Sequence, residues 1–138
     1  MYRAMDIAKY IVTKCTKDDY PISNLQLQKI LYYVQREFLK ARSKAFDDRI
    51  EAWQFGPVVP TVYYRFSGYG AMPIVQEYVV PYIADKDKQI IDSIVEQKRV
   101  LAPWDLVEDT HAPNGAWDQT YRRCHKGVID DQLIETVG

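Results

Sequence analysis

Apolar residues recur at helical spacing in seven stretches of the chain. The clearest stretch follows Ser23. Counting from Leu27, apolar residues come 3, 4, 7, 11 and 14 positions later, which is one face of a helix. Ser23 and Gln26 have the spacing of a capping box at its start. The rest of this helix is polar, and we predict that the following residues form a solvated face: Gln28, Lys29, Gln35, Arg36, Glu37, Lys40 and Arg42.

Together the seven stretches predict a mainly α-helical protein. They cover residues 5–15, 23–41, 59–66, 87–95, 103–110, 116–123 and 130–136. Consecutive helices without alternating strands do not fit a parallel-sheet α/β fold. We therefore predict a single compact domain, residues 1–138, with about six or seven helices and one short β-hairpin or strand element near residues 45–55. The segment 71–82 contains two prolines and is compatible with either a short helix or an extended chain.

Residues 50–66 combine a strand pattern with a helix pattern. From Ile50 to Phe55 the side chains follow the period of two of a short strand, with Trp53 and Phe55 on one large aromatic face. Gly56-Pro57 then breaks the strand before the next helix. An extended stretch at residues 45–46 is a candidate hairpin partner for this strand. Such a corner usually serves only to turn the chain. The functional alternative is that its aromatic residues anchor a partner protein.

Composition and charge favour an ordinary globular protein in the cytoplasm. Apolar residues make up 47% of the chain and charged residues 27%, and no apolar run approaches the roughly 20 residues of a membrane span. The N-terminus lacks the pattern of a secretory signal, and two cysteines are too few for a disulfide framework. We also expect no appended DNA-binding domain after the last helix. Residues 1–69 carry 11 Lys and Arg against 7 Asp and Glu, and residues 70–138 carry 7 against 12. This balance does not favour nucleic-acid binding.

Candidate catalytic and metal-binding residues are few. Cys15, His111, Cys124 and His125 are the only thiols and imidazoles, and their spacing is not that of a zinc site or of a defined nucleophile pair. No glycine-rich phosphate loop is present. We therefore predict a protein that is not an enzyme and that needs no cofactor or metal. Cys15 falls on the apolar face of the first helix and is predicted to be a core thiol.

A helix-turn-helix DNA-binding protein is the main competing interpretation for a small helical domain. The second helix would then be the recognition helix, because it carries Lys29, Arg36, Lys40 and Arg42. The same helix has the strongest apolar face and is predicted to lie at the centre of the core. Its exposed face would therefore be narrow.

Residues 50–63, Ile-Glu-Ala-Trp-Gln-Phe-Gly-Pro-Val-Val-Pro-Thr-Val-Tyr, also carry a family resemblance. With Met-Asp-Ile-Ala-Lys-Tyr-Ile at 5–11 and Ile-Ser-Asn-Leu-Gln-Leu-Gln-Lys-Ile-Leu-Tyr-Tyr at 22–33, this stretch resembles the Panacea domain in order and spacing. That family comprises SocA-like antitoxins and GepA-like phage-associated proteins. Residues 106–111 and Trp117 are similar to its later part, so the resemblance extends over residues 5–135.

This resemblance implies an antitoxin. It would neutralise a cognate toxin, encoded by an adjacent gene, through direct protein contact. Members of the family are paired with toxins of unrelated kinds, so the toxin is not specified. Some SocA-like members also deliver their partner to a protease, a role that does not transfer automatically. The alternative is a phage- or prophage-encoded regulator that binds a host protein or DNA.

Seven residues are predicted to contact the partner. Five surround the corner and two lie later in the chain: Trp53, Gln54, Phe55, Tyr64, Arg65, His111 and Trp117. Exposed aromatic residues of this kind would equally suit a homodimer. The chain departs from the family pattern at two places. Ala116 precedes the late tryptophan where many relatives have Pro, and Pro103 precedes Trp104 where relatives often have a small residue. These departures affect local geometry and the details of partner contact.

Overall fold

A computed structural model describes residues 1–138 and confirms the mainly α-helical prediction. The fold contains seven α-helices and one two-stranded antiparallel sheet. In chain order the elements are α1 (Ala4–Lys17), α2 (Asn24–Lys40), β1 (Glu51–Trp53), β2 (Gly56–Val58), α3 (Pro60–Phe66), α4 (Asp85–Lys98), α5 (Pro103–Thr110), α6 (Ala116–Arg123) and α7 (Asp131–Val137). A single 3₁₀ turn, Ser67–Tyr69, follows α3. No helix is long and apolar enough to cross a membrane.

The central element is α2, which packs against α1, α3, α4, α5, α7 and β2. Its start is the predicted capping box, in which Ser23 Oγ accepts from the backbone N–H of Gln26 and the Gln26 side chain accepts from the Ser23 N–H. Residues 27–35 are buried without interruption. An amphipathic helix at a surface would keep one face in water, whereas residues 27–35 of α2 are covered on all sides.

The prediction of a solvated polar face on α2 is therefore wrong for three residues. Gln28, Lys29 and Gln35 are each no more than 1% exposed. Their side chains instead satisfy backbone groups of the loops that cross the helix. Gln35 accepts from the backbone N–H of Ala45 and donates to the carbonyl of Phe46. Buried loops need such partners, because an unpaired backbone group in the core costs stability.

The β-hairpin differs in detail from the prediction. Gly56-Pro57 does not end the sheet but begins β2, and Gln54-Phe55 form the connecting turn, with Trp53 paired to Gly56. Residues 45–46 do not pair with β1. Phe46 forms an isolated parallel bridge with Tyr2 at the start of α1. The other edge of β1 is covered by residues 126–129, where Lys126 donates its backbone N–H to the Ala52 carbonyl over 2.7 Å.

The segment 71–82, which the sequence left undecided, contains no helix or strand, and with residues 83 and 84 it runs along α1 to the start of α4. The backbone N–H of Ile74 donates to the Ile22 carbonyl over 2.8 Å. The N–H groups of Gln76 and Tyr78 donate to the hydroxyls of Thr16 and Thr13 on α1. This segment leads the chain from α3 to the start of α4.

Candidate partner-binding surface

A surface pocket of about 460 Å³ opens beside the β1–β2 hairpin. Its walls come from the hairpin, the first turn of α2, and the end of α3 with the turn that follows it. Three aromatic side chains line it, Trp53, Phe55 and Tyr63, together with two lysines, Lys29 and Lys126. No aspartate or glutamate lines the pocket.

Aromatic rings extend from this pocket over the neighbouring surface. Trp53 packs edge-on against Tyr63, with ring centroids 4.9 Å apart, and lies 6.0 Å from the Tyr64 ring. Phe55 packs edge-on against Trp104 of α5 at 5.2 Å. Phe55, Tyr64 and Trp104 are 45%, 62% and 61% exposed. We call these five rings, Trp53, Phe55, Tyr63, Tyr64 and Trp104, the hairpin aromatic surface.

Four of the predicted partner-contact residues lie together on or beside this surface. Trp53, Gln54 and Phe55 line the pocket, and Tyr64 is adjacent to Trp53. Arg65 is also exposed on α3, but it does not line the pocket, and its guanidinium lies 5.5 Å from the centroid of the Phe66 ring. The structure therefore brings Trp53, Gln54, Phe55 and Tyr64 together, whereas Arg65 lies on α3 outside the pocket.

The two remaining predicted residues, His111 and Trp117, belong to a stacked column. Their rings are nearly parallel with centroids 3.6 Å apart, and Tyr121 and His125 continue the stack at spacings of 4.7 and 4.1 Å. Trp117 is only 8% exposed, and its Nε1–H donates to the Trp53 carbonyl over 2.7 Å. Trp117 thus supports the hairpin from inside the fold.

His111 sits half-buried at the end of this column, directly after α5. Burial lowers the pKa of its imidazole, and the nearby ammonium of Lys29 lowers it further, against the opposing effect of Asp118. This shift favours the uncharged form of the ring. A neutral imidazole stacks on an indole without carrying a charge into the interior.

Replacing Trp117 with Phe tests the support that the column gives to the hairpin. The phenyl ring keeps an aromatic partner for His111 but removes the donor to the Trp53 carbonyl. We expect the free energy of unfolding to fall by about 1–2 kcal/mol, measured by urea denaturation. Trp104→Phe is the matched control, because Trp104 is exposed and its indole donates no hydrogen bond. Equal effects of the two substitutions would contradict a supporting role for Trp117.

The sequence prediction missed three residues of the site: Lys29, Lys126 and Trp104. Lys29 was assigned to a solvated face, yet its Nζ is buried and donates to the Pro57 carbonyl over 3.0 Å. The available signal was that α2 was predicted to lie at the centre of the core, and a helix enclosed there must bury polar residues too. Lys126 lies with its Nζ 4.7 Å from the Trp53 ring centroid, a contact between residues far apart in the chain.

Burial has a strong electrostatic effect on Lys29. No carboxylate forms a salt bridge with it, and desolvation lowers the pKa of its ammonium to about 7. The burial of Lys29 also argues against the hypothesis that α2 is a DNA-recognition helix. A recognition helix must expose its base-contacting side chains to the groove, whereas α2 is enclosed by six other elements and buries Lys29 completely.

The two candidate catalytic thiols differ in their exposure to solvent. Cys15 is buried as predicted, and burial raises the pKa of its thiol. Cys124 is exposed, and neither thiol is hydrogen-bonded to an imidazole. No group of three or more His, Cys, Asp or Glu side chains is placed to hold a metal ion.

Comparison with known proteins gives one family match and one similar curated protein. Residues 27–118 match the family model described as antitoxin SocA-like, Panacea domain. The chain is 32% identical over 128 residues to "Antitoxin SocA" of Caulobacter vibrioides (strain NA1000 / CB15N), which covers 83% of this chain and 68% of that protein. No solved structure matches the chain. The family match includes all seven predicted contact residues, as well as Lys29 and Trp104.

Proposed function

Because the chain belongs to the SocA-like Panacea antitoxin family, we propose that it neutralises a cognate toxin by binding it directly through the hairpin aromatic surface. The observation that carries this proposal is the set of large aromatic side chains left exposed beside a pocket. Tyr64 and Trp104 are each more than 60% exposed, although the core beneath them is closely packed. Aromatic side chains are the residues that most often dominate the binding energy of protein interfaces.

The surface is also held rigidly in place. The Val59 N–H at the end of the hairpin donates to the buried side chain of Gln28 over 2.9 Å, and Trp117 holds the Trp53 carbonyl. The rings are packed edge-on against one another, so little side-chain freedom remains to be lost when a partner binds. Pre-organisation of this kind favours affinity.

The other predicted contact residues take different parts in this proposal. Gln54, at the tip of the hairpin, offers an exposed amide to the toxin, and Arg65 contributes an exposed charge at the rim of the interface. Rim charges chiefly affect the rate and salt dependence of association. His111 and Trp117 act indirectly, by fixing the position of the hairpin.

The test is co-expression of the adjacent reading frame with and without this protein, with growth and the amount of the neighbouring protein as readouts. We expect the neighbour to be toxic alone, harmless together with this chain, and co-purified with it. Accumulation of the complex would indicate neutralisation by binding. Disappearance of the toxin only in the presence of this chain would indicate delivery to a protease. A neighbour that is harmless alone, or toxic in both cases, would overturn the proposal.

Single substitutions map the surface within the complex. Tyr64→Ala and Trp53→Ala are each expected to weaken toxin binding by about 30-fold, which corresponds to about 2 kcal/mol. Binding is measured by calorimetry, and a melting curve of each variant confirms that it is folded. Tyr82→Ala is the matched control, because Tyr82 is 82% exposed and lies outside the hairpin aromatic surface. If Tyr82→Ala weakens binding as much as Tyr64→Ala, the toxin binds elsewhere.

A further inference from the structure

The inner end of the pocket beside the hairpin contains an ammonium group that lacks a counter-ion. Lys29 lines the pocket, is 0% exposed, and has no carboxylate within salt-bridge distance. Of its three N–H donors, one is accepted by the Pro57 carbonyl. Lysine is almost never fully buried in proteins unless it is paired. The fold therefore holds a cation at the pocket wall whose remaining donors have no protein partner.

The rest of the pocket reinforces the positive potential. Lys126 lines the outer part of the pocket, and no acidic residue contributes to the lining. Asn24 and Leu25, in the first turn of α2, also line it. The N-terminal end of a helix carries the positive end of the helix dipole, which favours a negative group.

We infer that this pocket receives an acidic side chain, aspartate or glutamate, of the toxin, whose carboxylate pairs with Lys29 Nζ after a local shift of the pocket wall exposes that atom, while Lys126 approaches from the rim. The inference rests on the proposed function, since the toxin supplies the carboxylate. The aromatic walls of Trp53, Phe55 and Tyr63 would enclose the methylene stem of that side chain. The acidic residue would thus lie at the centre of the interface, surrounded by the hairpin aromatic surface.

The chemistry of the lining favours a carboxylate over a phosphate. No arginine lines the pocket, and the sequence contains no glycine-rich phosphate loop. Phosphate recognition relies on such arginine forks or on loops of converging N–H groups. A single buried ammonium with two free donors matches one carboxylate, which accepts hydrogen bonds at both oxygens. A partner that completes this pair would offset the cost of keeping an uncompensated cation in the core.

The first experiment uses a small probe, so that it does not depend on the toxin. The full chain is titrated with N-acetyl-aspartate amide, with N-acetyl-asparagine amide and with inorganic phosphate, and the indole N–H signal of Trp53 is followed by NMR. We expect the aspartate probe to bind at least ten-fold more tightly than the asparagine probe and more tightly than phosphate. Lys29→Met should abolish this preference. Lys40→Met, which removes an exposed lysine from the same helix, should retain it.

Lys126→Met provides a second variant that leaves the core intact, and it should lower the preference about three-fold. Equal binding of the aspartate and asparagine probes would overturn the inference. So would tighter binding of phosphate, or a preference that survives Lys29→Met.

The second experiment uses the toxin itself. We expect Lys29→Met to weaken toxin binding at least ten-fold, and one acidic residue of the toxin, when changed to alanine, to have no further effect in the Lys29→Met background. Unchanged toxin binding by Lys29→Met would overturn the carboxylate site and leave the proposed function standing. Selective binding of the aspartate probe by a chain that binds no toxin would overturn the proposed function and leave the carboxylate site standing.

Discussion

Lys29→Met should raise the free energy of unfolding of the free protein at pH 6 by on the order of 2 kcal/mol. At this pH the wild-type lysine carries its charge in a site where burial lowers its pKa from 10.5 to about 7. A shift of this size corresponds to a penalty on the order of 5 kcal/mol. Methionine fills a similar volume without charge. It also leaves the Pro57 carbonyl without its donor, which lowers the free energy of unfolding by about 1–3 kcal/mol and offsets part of the gain.

The same substitution should remove a pH dependence. Between pH 7 and pH 10.5 the unfolded chain retains the proton on Lys29, whereas the folded protein has released it. Stability therefore rises with pH in this window, because the unfolded state binds more protons. This gain in the free energy of unfolding is fully present above pH 10.5, and it is lost as the pH falls from there to about 7. In Lys29→Met this rise is absent, so the difference in stability should shift in favour of the wild type by on the order of 3 kcal/mol between pH 7 and pH 9.

Urea denaturation of both proteins from pH 6 to pH 9 measures these differences. The other titratable groups near this site are His111, directly after α5, and Lys126 at the pocket rim, and both remain in the variant. Lys40→Met is the control and should change stability by less than about 0.5 kcal/mol at every pH. A Lys29→Met protein that is less stable than wild type at pH 6, or that keeps the wild-type pH slope, would show that the ammonium is compensated within the fold.

Gly56→Ala should lower the free energy of unfolding by on the order of 4 kcal/mol. Gly56 has φ of +111°, a conformation that L residues rarely adopt and that costs a non-glycine residue about 1–3 kcal/mol. A Cβ atom there would also lie 2.7 Å from Thr110 Oγ1 and 2.9 Å from Lys29 Cε. Both neighbours are buried, so the added methyl group overpacks the site at a further cost of about 1–3 kcal/mol.

Gly68→Ala is the control for this prediction. Gly68 lies in the 3₁₀ turn after α3 with no positive φ, and a Cβ atom there would meet nothing within 4 Å. We expect its effect to stay within about 0.5 kcal/mol, measured by urea denaturation at pH 7. If Gly56→Ala costs no more than Gly68→Ala, the hairpin can move away from Lys29 and Thr110, and the close packing of this site is not required for folding.

Local patterns in the sequence were sufficient to predict the positions of most of the helices. The capping box at Ser23 and Gln26 and the proline at the start of α5 predicted two helix starts, and both are present. Helix starts and apolar faces depend on residues within one or two turns, so they can be derived without knowledge of the rest of the chain. The family resemblance, carried by the order of several short motifs, was also confirmed.

The hairpin shows where local reasoning failed. Glycine and proline at positions 56 and 57 normally end a strand, but here Gly56 supplies the positive φ that begins β2, and Pro57 pairs with Ala52. A proline donates no hydrogen bond, yet its carbonyl remains available, and Lys29 uses it. The partner that makes this strand favourable is 28 residues away in the sequence.

The sequence by itself determined the helical class, the family and the aromatic residues that surround the hairpin. Only the tertiary structure decided that Trp117 supports the hairpin from inside, that Trp104 joins Phe55 at the surface, and that Lys29 is buried beneath the pocket. The physical reason is that periodicity reports the side on which a helix is most apolar but not whether its other sides are also covered. Enclosure of α2 by six elements is a property of the whole fold, and it turns a residue expected in solvent into a buried cation.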